Sequence, residues 1–516
     1  MEGILARFRT VTTASPERPA FIDATCSGVR QACFSYGEVA ELAAGLAGAL
    51  TRRDLTLGDR VAVVLPNGID FVLLYLACLH AGLTIVPVNP NLAAEEIEHS
   101  LRLTRPRLIV VRTKDTSRLQ RFPAPLWMTE APGDILAAAR HHEQVPCAAG
   151  AHRLFSITFT SGTTSRPKGV AHSVENLLAN AASFNRLAGF ERDARLLHVL
   201  PMSYMAGFLN TLLSPLMAGA TVILAPAFDA QAALRFWEPA IRHRATTLWI
   251  SPTIAAALCR LDRDAAVRTW TRANLSSVFV GTAPLPAPVK HDFEGRFGVE
   301  LFESYGLTEF LLVSANTPLR DRANGSVGPL LEGVEIGIRS ENGDPLEEGG
   351  PGDLWIRSSY ALNAYLTEAG DAPPAARDGW MPTGDLGMVD RCGNLVITGR
   401  RKDLIIRGGV NVSPRAIEDV LLSHPSISDA AVIGAPHAFW GEQVVALVSL
   451  KEHPGAAARR EELLSLCRDR LALPPDHLFG VEKLPRTLNG KLNKAQIREA
   501  FLSGTLTIFS LSEARP

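Results

Sequence analysis

The sequence predicts an α/β protein with a smaller α+β part at its C-terminal end. Three observations carry this. Over residues 1–150 strand-like and helical segments alternate, the pattern of layered folds with mostly parallel strands. Beyond them a strand, a loop rich in hydroxyls and glycine, and a helical pattern follow one another around residues 154–181. Residues 403–516 then mix helical runs with short apolar strands.

In order along the chain, Tyr36–Leu50 repeats Ala and Leu at helical spacing. Arg60–Leu65 is an apolar strand run halted by Pro66-Asn67-Gly68, and Leu108–Val111 is another. Phe71–Val86 is the one stretch that tempts a membrane reading. His80 and Gly82 interrupt it, and it falls short of the roughly 20 apolar residues a span needs, so it predicts a core helix followed by a strand ending at Pro87. Leu154–Ile157 reads as a strand, and Val174, Leu177, Leu178 and Ala181 as a helix face. Leu248–Thr253 and Val278–Leu285 read as strands ending in turns, and Asp390–Asn394 as a hairpin turn. Ile417–Leu422 predicts a helix, with strands at Ala430–Gly434 and Val444–Val448.

At 516 residues the chain exceeds one ordinary domain. It is 47% hydrophobic with mean hydropathy +0.09, enough for large cores. Its 52 basic and 53 acidic residues leave a net charge of −1, which points away from nucleic acid or an anionic membrane as partner. Seven scattered cysteines without a CxxC pair indicate neither a disulfide framework nor a zinc site, and suggest a reducing, cytoplasmic compartment. Met1–Arg7 lacks the apolar core of a signal peptide.

The chain is organised around Thr158-Phe-Thr160-Ser161-Gly162-Thr163-Thr164-Ser165-Arg-Pro167-Lys168-Gly169. Such a loop can aim several N–H groups and hydroxyls at one polyanion, and Lys168 adds a mobile positive charge. The chemistry suits the β- and γ-phosphates of a nucleotide. It is not a Walker A loop, because the lysine precedes the last glycine instead of following it. Taken alone, a Ser/Thr/Gly loop is also compatible with a bland polar surface. The whole string resembles the phosphate loop of the adenylate-forming superfamily: acyl-CoA synthetases, peptide-synthetase adenylation domains and firefly-type luciferases. Ser165 stands where that family more often has glycine.

Further motifs extend the resemblance over about residues 20–495. It implies a large multi-sheet N-terminal domain, residues 1–401, that binds ATP and carboxylate. A small mobile α+β domain, residues 402–516, would turn on a hinge at Lys402. In Glu303-Ser304-Tyr305-Gly306-Leu307-Thr308-Glu309 it implies that Tyr305 stacks on adenine, Thr308 contacts the α-phosphate and Glu309 ligates Mg²⁺. A carboxylate is a hard oxygen ligand suited to that ion, and Thr163 is a candidate partner hydroxyl near it. In Pro382-Thr383-Gly384-Asp385 the resemblance makes Asp385 the ribose ligand. Arg400 matches the arginine that reaches ribose and phosphate, while Thr160, Ser161, Gly162, Thr163, Thr164 and Lys168 hold the remaining phosphates. Lys491, in Gly490-Lys491, matches the adenylation lysine.

The acyl pocket is expected near Gly281 and Gly306, with Phe184, Tyr204 and Trp249 as candidate walls; for each ring taken separately, core packing is the favoured reading. Tyr204 replaces the histidine of many relatives and cannot carry imidazole's charge. If all three rings line the pocket, it admits an aryl or short-to-medium acyl group and fits a long fatty chain poorly. Gly408, Gly409 and Trp440 are the candidate tunnel for the pantetheine arm of CoA. The expected function is activation of a carboxylic acid by ATP and Mg²⁺ to an acyl adenylate, then thioester formation with CoA. Loading of a separate carrier protein, and a non-catalytic nucleotide-binding paralogue, stay as alternatives. The identity of the acid stays open, as does the oligomeric state, a homodimer being one option.

Overall fold

The computed structural model describes residues 8–11, 13–25, 32–119, 122–160, 167–340, 342–346, 350–451, 460–486 and 492–511. Two eight-stranded sheets form the bulk of the chain. The first runs in the order Leu311–Ala315, Leu301–Leu307, Ser277–Val280, Thr247–Ile250, Arg195–His198, Thr221–Leu224, Pro19–Asp23, Ala32–Ser35. Its inner pairings are parallel and both edges antiparallel. The second places Gly169–Ser173 and Leu154–Phe159 beside Thr84–Pro87, Arg60–Val64, Leu108–Arg112 and Leu126–Thr129. On its other side Ala364–Thr367 and Gly370–Ala372, far along the chain, complete the sheet.

Parallel strands buried on both faces need continuous apolar runs. Val61–Val64 and Leu108–Val111 supply them, every side chain buried. Helices Ile69–Ala81 and Val174–Ala188 contribute to the same large core. The first has 13 residues, ends on left-handed Gly82, and is buried on nearly every face. Among the described residues no helix is long and apolar enough to cross a membrane. Tyr36–Thr51 begins on a capping box, Ser35 Oγ accepting from the Glu38 amide and Glu38 accepting from the Ser35 amide.

One local expectation is corrected. The hydroxyl-rich loop does not lead straight into a helix. Gly169–Ser173 first returns as a strand antiparallel to Leu154–Phe159, and the helix starts only at Val174, capped by the Ser173 hydroxyl. The loop therefore closes a β-hairpin. All five residues of the returning strand are buried, so sheet pairing takes up a segment too short to declare its own periodicity.

A third, antiparallel sheet joins Val334–Arg339, Gly352–Ser358, Met381–Val389 and Leu395–Arg400. A fourth, six-stranded sheet lies within residues 405–509. Its hairpin Ile427–His437/Gly441–Leu450 has a register shift between Ile427 and Asp429 and alternates from Ala430 to Ile433, so each face builds its own core. Ala430 and Val432 join Ile417, Leu421 and Leu463 on one face. Ala431 and Ile433 join Ile497 on the other.

Candidate active site

A cleft of about 2490 Å³ is lined by Thr160, by Tyr305–Glu309, by Asp385 and Arg400 of the third sheet, and by Lys402, Glu418 and Lys494 further on. Asp385 and Arg400 face each other in register on adjacent antiparallel strands. Gly384, at φ +75°, turns the backbone just before Asp385, and the Asp385 amide donates to Thr383 Oγ1 at 3.0 Å. The carboxylate is nearly fully buried, yet both oxygens are engaged. Arg400 Nε lies 3.0 Å from Oδ1, and the Tyr305 hydroxyl donates to Oδ2 at 2.6 Å. Burial, then the Asp385 charge, push the Tyr305 phenol well above its ordinary range, so it stays a neutral donor.

Thr308 and Glu309 occupy the turn between Leu301–Leu307 and Leu311–Ala315. Burial raises the Glu309 carboxyl above its ordinary pKa, opposed by hydrogen bonds from its own backbone and from Tyr365. It forms no ion pair among the described residues, and the Tyr365 hydroxyl lies 3.4 Å from its Oε1. The turn is held from behind: His172, fully buried, donates from Nε2 to the Thr308 carbonyl at 2.7 Å. Burial lowers His172 to about 4, so it is neutral. Lys168, at the end of the loop, carries its ammonium 5.7 Å from the centre of the Tyr365 ring. No group of three His, Cys, Asp or Glu side chains among the described residues could cage a metal ion. One half-buried carboxylate in an open cleft, Glu309, is instead a donor set suited to a Mg²⁺ that takes most of its ligands from phosphate and water. The residues fit that ion.

Among the rings expected at the acyl pocket, Tyr204 lines the cleft, one residue ahead of the cap of a π-helix at Ala206–Leu213. Phe184 and Trp249 do not line it. Both are fully buried and pack on each other, ring centroids 5.0 Å apart, and on Phe279. Gly281 is buried beneath Ser304, whose Oγ would stand 2.5 Å from a Cβ there. Gly306 lines the cleft, and a side chain on it would strike the Leu311 backbone.

Lys402 sits in the 3-10 turn Arg401–Asp403 between the third and fourth sheets and lines the cleft. Gly408 and Trp440 come together: the Gly408 amide donates to the Trp440 carbonyl at 2.8 Å, and a Cβ on Gly408 would stand 2.7 Å from the indole. Arg407 covers that ring at 4.6 Å, and neighbouring Gly409 is open around its Cα. Gly408, Gly409 and Trp440 do not line the cleft. Ser161, Gly162, Thr163, Thr164 and Lys491 lie outside the described residues. Nearby Lys494 is committed to Glu418 at 2.8 Å.

Tyr365, His172 and the ion pair of Lys290 with Glu303, 2.8 Å apart, are not signalled by the sequence. Tyr365, His172 and Lys290 belong to no string whose order reveals chemistry, and Glu303, which opens the Tyr305 motif on the same strand, finds its partner on the helix Ala287–Phe297.

A family model described as AMP-binding enzyme matches residues 8–366. The chain belongs to the AMP-binding enzyme family. A second model, the AMP-binding enzyme C-terminal domain, matches residues 416–491. The AMP-binding enzyme is 31% identical to the long-chain-fatty-acid–CoA ligase FadD13 of Mycobacterium tuberculosis, over 97% of this chain and 99% of that protein. It is 30% identical to an oxalate–CoA ligase of Arabidopsis thaliana, over 86% of this chain and 89% of that one. Its fold matches ATP-bound MatB from Rhodopseudomonas palustris with a TM-score of 0.86 at 28% identity, covering 96% and 99% of the two chains.

Proposed function

We propose that this AMP-binding enzyme is an AMP-forming acid–thiol ligase. A carboxylate oxygen attacks the α-phosphorus of ATP, the bond to pyrophosphate breaks, and an acyl adenylate forms. The sulfur of CoA then attacks the acyl carbon, and AMP departs with its oxygen. The observation that carries this reading is the convergence of Tyr305, Glu309, Asp385 and Arg400, from separate motifs, on one cleft. Both reactants are anions, so positioning and charge screening do most of the work. In this reading Tyr305 offers a flat face to adenine while its hydroxyl steadies Asp385, which accepts from the ribose. Arg400 reaches ribose and phosphate, Thr308 the α-phosphate, and Lys168 the leaving pyrophosphate. Glu309, with Thr163, would hold Mg²⁺, which neutralises phosphate charge when bound. Lys491 would bridge carboxylate and nucleotide.

The acid in this reading is aryl or short-to-medium acyl, with Tyr204, the one of the three candidate rings that lines the cleft, as its wall. The relatives' names, from long-chain fatty acid to oxalate, do not select among acids. We divide the chain at Lys402, because the fourth sheet carries its own cores. CoA is preferred to a carrier protein because half-exposed Trp440 adjoins two glycines at an open surface. The scattered cysteines, six of them described and free, favour a cytoplasmic setting.

The test is pyrophosphate release with MgATP across aryl, short-chain and medium-chain acids, each with and without CoA. Turnover with one acid that continues only when CoA is present is the expected result. One equivalent of pyrophosphate that CoA fails to extend would transfer the acceptor role to a carrier protein. No release with any acid, despite ATP binding, would overturn the catalytic reading.

A further inference from the structure

We propose that Tyr365 is a positioning residue that holds Lys168 and Glu309 apart, keeping open the gap that phosphates and metal enter. The inference rests on the roles given above to those two residues.

The tyrosine lies on Ala364–Thr367, in register with Val170 on the strand that leaves the phosphate loop. Its backbone is fixed from several sides. The Asn363 amide donates to the Ala171 carbonyl at 2.8 Å, and Asn363 Oδ1 accepts from the Ser173 amide at 2.8 Å. Asn176 Nδ2 donates to the Ala361 carbonyl at 2.6 Å. The Leu362 amide donates to the carbonyl of Glu309 itself at 2.8 Å. One short segment thus joins the strand after the loop to the turn that bears the acid.

The ring then meets both charges. Its face takes the Lys168 ammonium at 5.7 Å, within the range of a cation–π contact. Its hydroxyl points at Glu309 Oε1, 3.4 Å away, a long contact of the kind that shortens when a site fills. The exposed Lys168 ammonium and the half-buried Glu309 carboxylate, which has no ion-pair partner among the described residues, carry opposite charges and attract one another across this ring. Without a spacer they would form an ion pair, and ATP would have to break it. The aromatic ring separates them sterically while giving each a weak partner that phosphate or metal can displace.

Two substitutions separate the two contacts. Tyr365→Phe keeps the spacer and the seat for Lys168 but removes the donor to Glu309. Tyr365→Leu removes the ring as well. Calorimetric ATP binding, in EDTA and at graded Mg²⁺, reads them without turnover. For Tyr365→Phe, metal-free ATP affinity stays within about twofold of the parent, and the Mg²⁺ needed for half-maximal enhancement rises about tenfold, as expected for a lost bond to a charged group. For Tyr365→Leu, metal-free ATP binding also weakens, about fivefold, the scale of a cation–π contact. At saturating Mg²⁺ the Phe variant should recover kcat. Parent-like behaviour of both variants overturns the proposal, as does an equal loss in both that tracks a lower Tm. Glu309→Gln is the control: if it leaves the Mg²⁺ dependence unchanged, the reading of Glu309 fails and takes the proposal with it. If it shifts that dependence and Tyr365→Phe does not, the spacer role alone fails.

Discussion

The buried side chain of Asp385 is held between a phenol and a guanidinium, one on each oxygen. Replacing it with Asn preserves the shape but leaves Arg400 without its anion and the ribose with a weaker acceptor. ATP affinity should fall by about tenfold or more, the worth of a charge-assisted hydrogen bond, as calorimetry would read. His198 makes a different prediction. It is fully buried, bonded through Nδ1 to Thr211 Oγ1 at 2.7 Å, and lowered by burial to about 4. An unfolded imidazole titrates near 6.5. Below that pH the unfolded chain takes up a proton that the folded chain refuses. Stability from this group is therefore complete above pH 6.5 and is lost as pH falls toward 4, by on the order of 3 kcal/mol in all. Melting curves at pH 7 and pH 5 should converge in His198→Asn relative to the parent. An unchanged pH slope would refute the assignment.

At the scale of elements, the π-helix Ala206–Leu213 begins two residues after Tyr204, and such helices are rare and frequently found at functional sites. Its start is fixed by close approach: any side chain on Gly207 collides with the Pro201 carbonyl, which also accepts from the Tyr204 amide at 3.0 Å. Gly207→Ala should push that turn apart, cost about 1–3 kcal/mol by overpacking, and change the KM for the acid more than that for ATP. Comparing the two KM values and the Tm checks this. The same elements show what a sequence can carry. Tyr305, Glu309, Asp385 and Arg400 were legible because each stands in a short string whose order is itself the chemistry. Phe184 and Trp249 were legible as rings, but a ring in a wall and a ring in a core share one spacing, and these two are core. Tyr365 was illegible because its partners reach it across a strand pairing that no local pattern announces. The hairpin at Gly169–Ser173 was missed for the same reason: its partners, not its own alternation, make it a strand.

At the scale of the whole molecule, Lys402 lies in a 3-10 turn between the part that carries Tyr305, Glu309, Asp385 and Arg400 and the part with its own two-faced core. If the second part turns during the reaction, the turn must change its dihedral angles. Proline suits a 3-10 φ but cannot leave it. Lys402→Pro should spare pyrophosphate release in a single turnover and slow thioester formation at least tenfold, a split that quenched-flow kinetics would expose. Equal slowing of both steps would argue against a hinge there. The sheet beneath the phosphate loop has another consequence, for the order of assembly. Its neighbour on one side is the strand Ala364–Thr367, made long after Gly169–Ser173 has left the ribosome. Contacts so distant along the chain form late and slowly. A nascent chain that has emerged only as far as residue 340 still lacks Tyr365, Asp385 and Arg400, and its loop hairpin has an open edge. During synthesis that edge is a place for a chaperone, or for another chain, to add a strand before its own partner arrives.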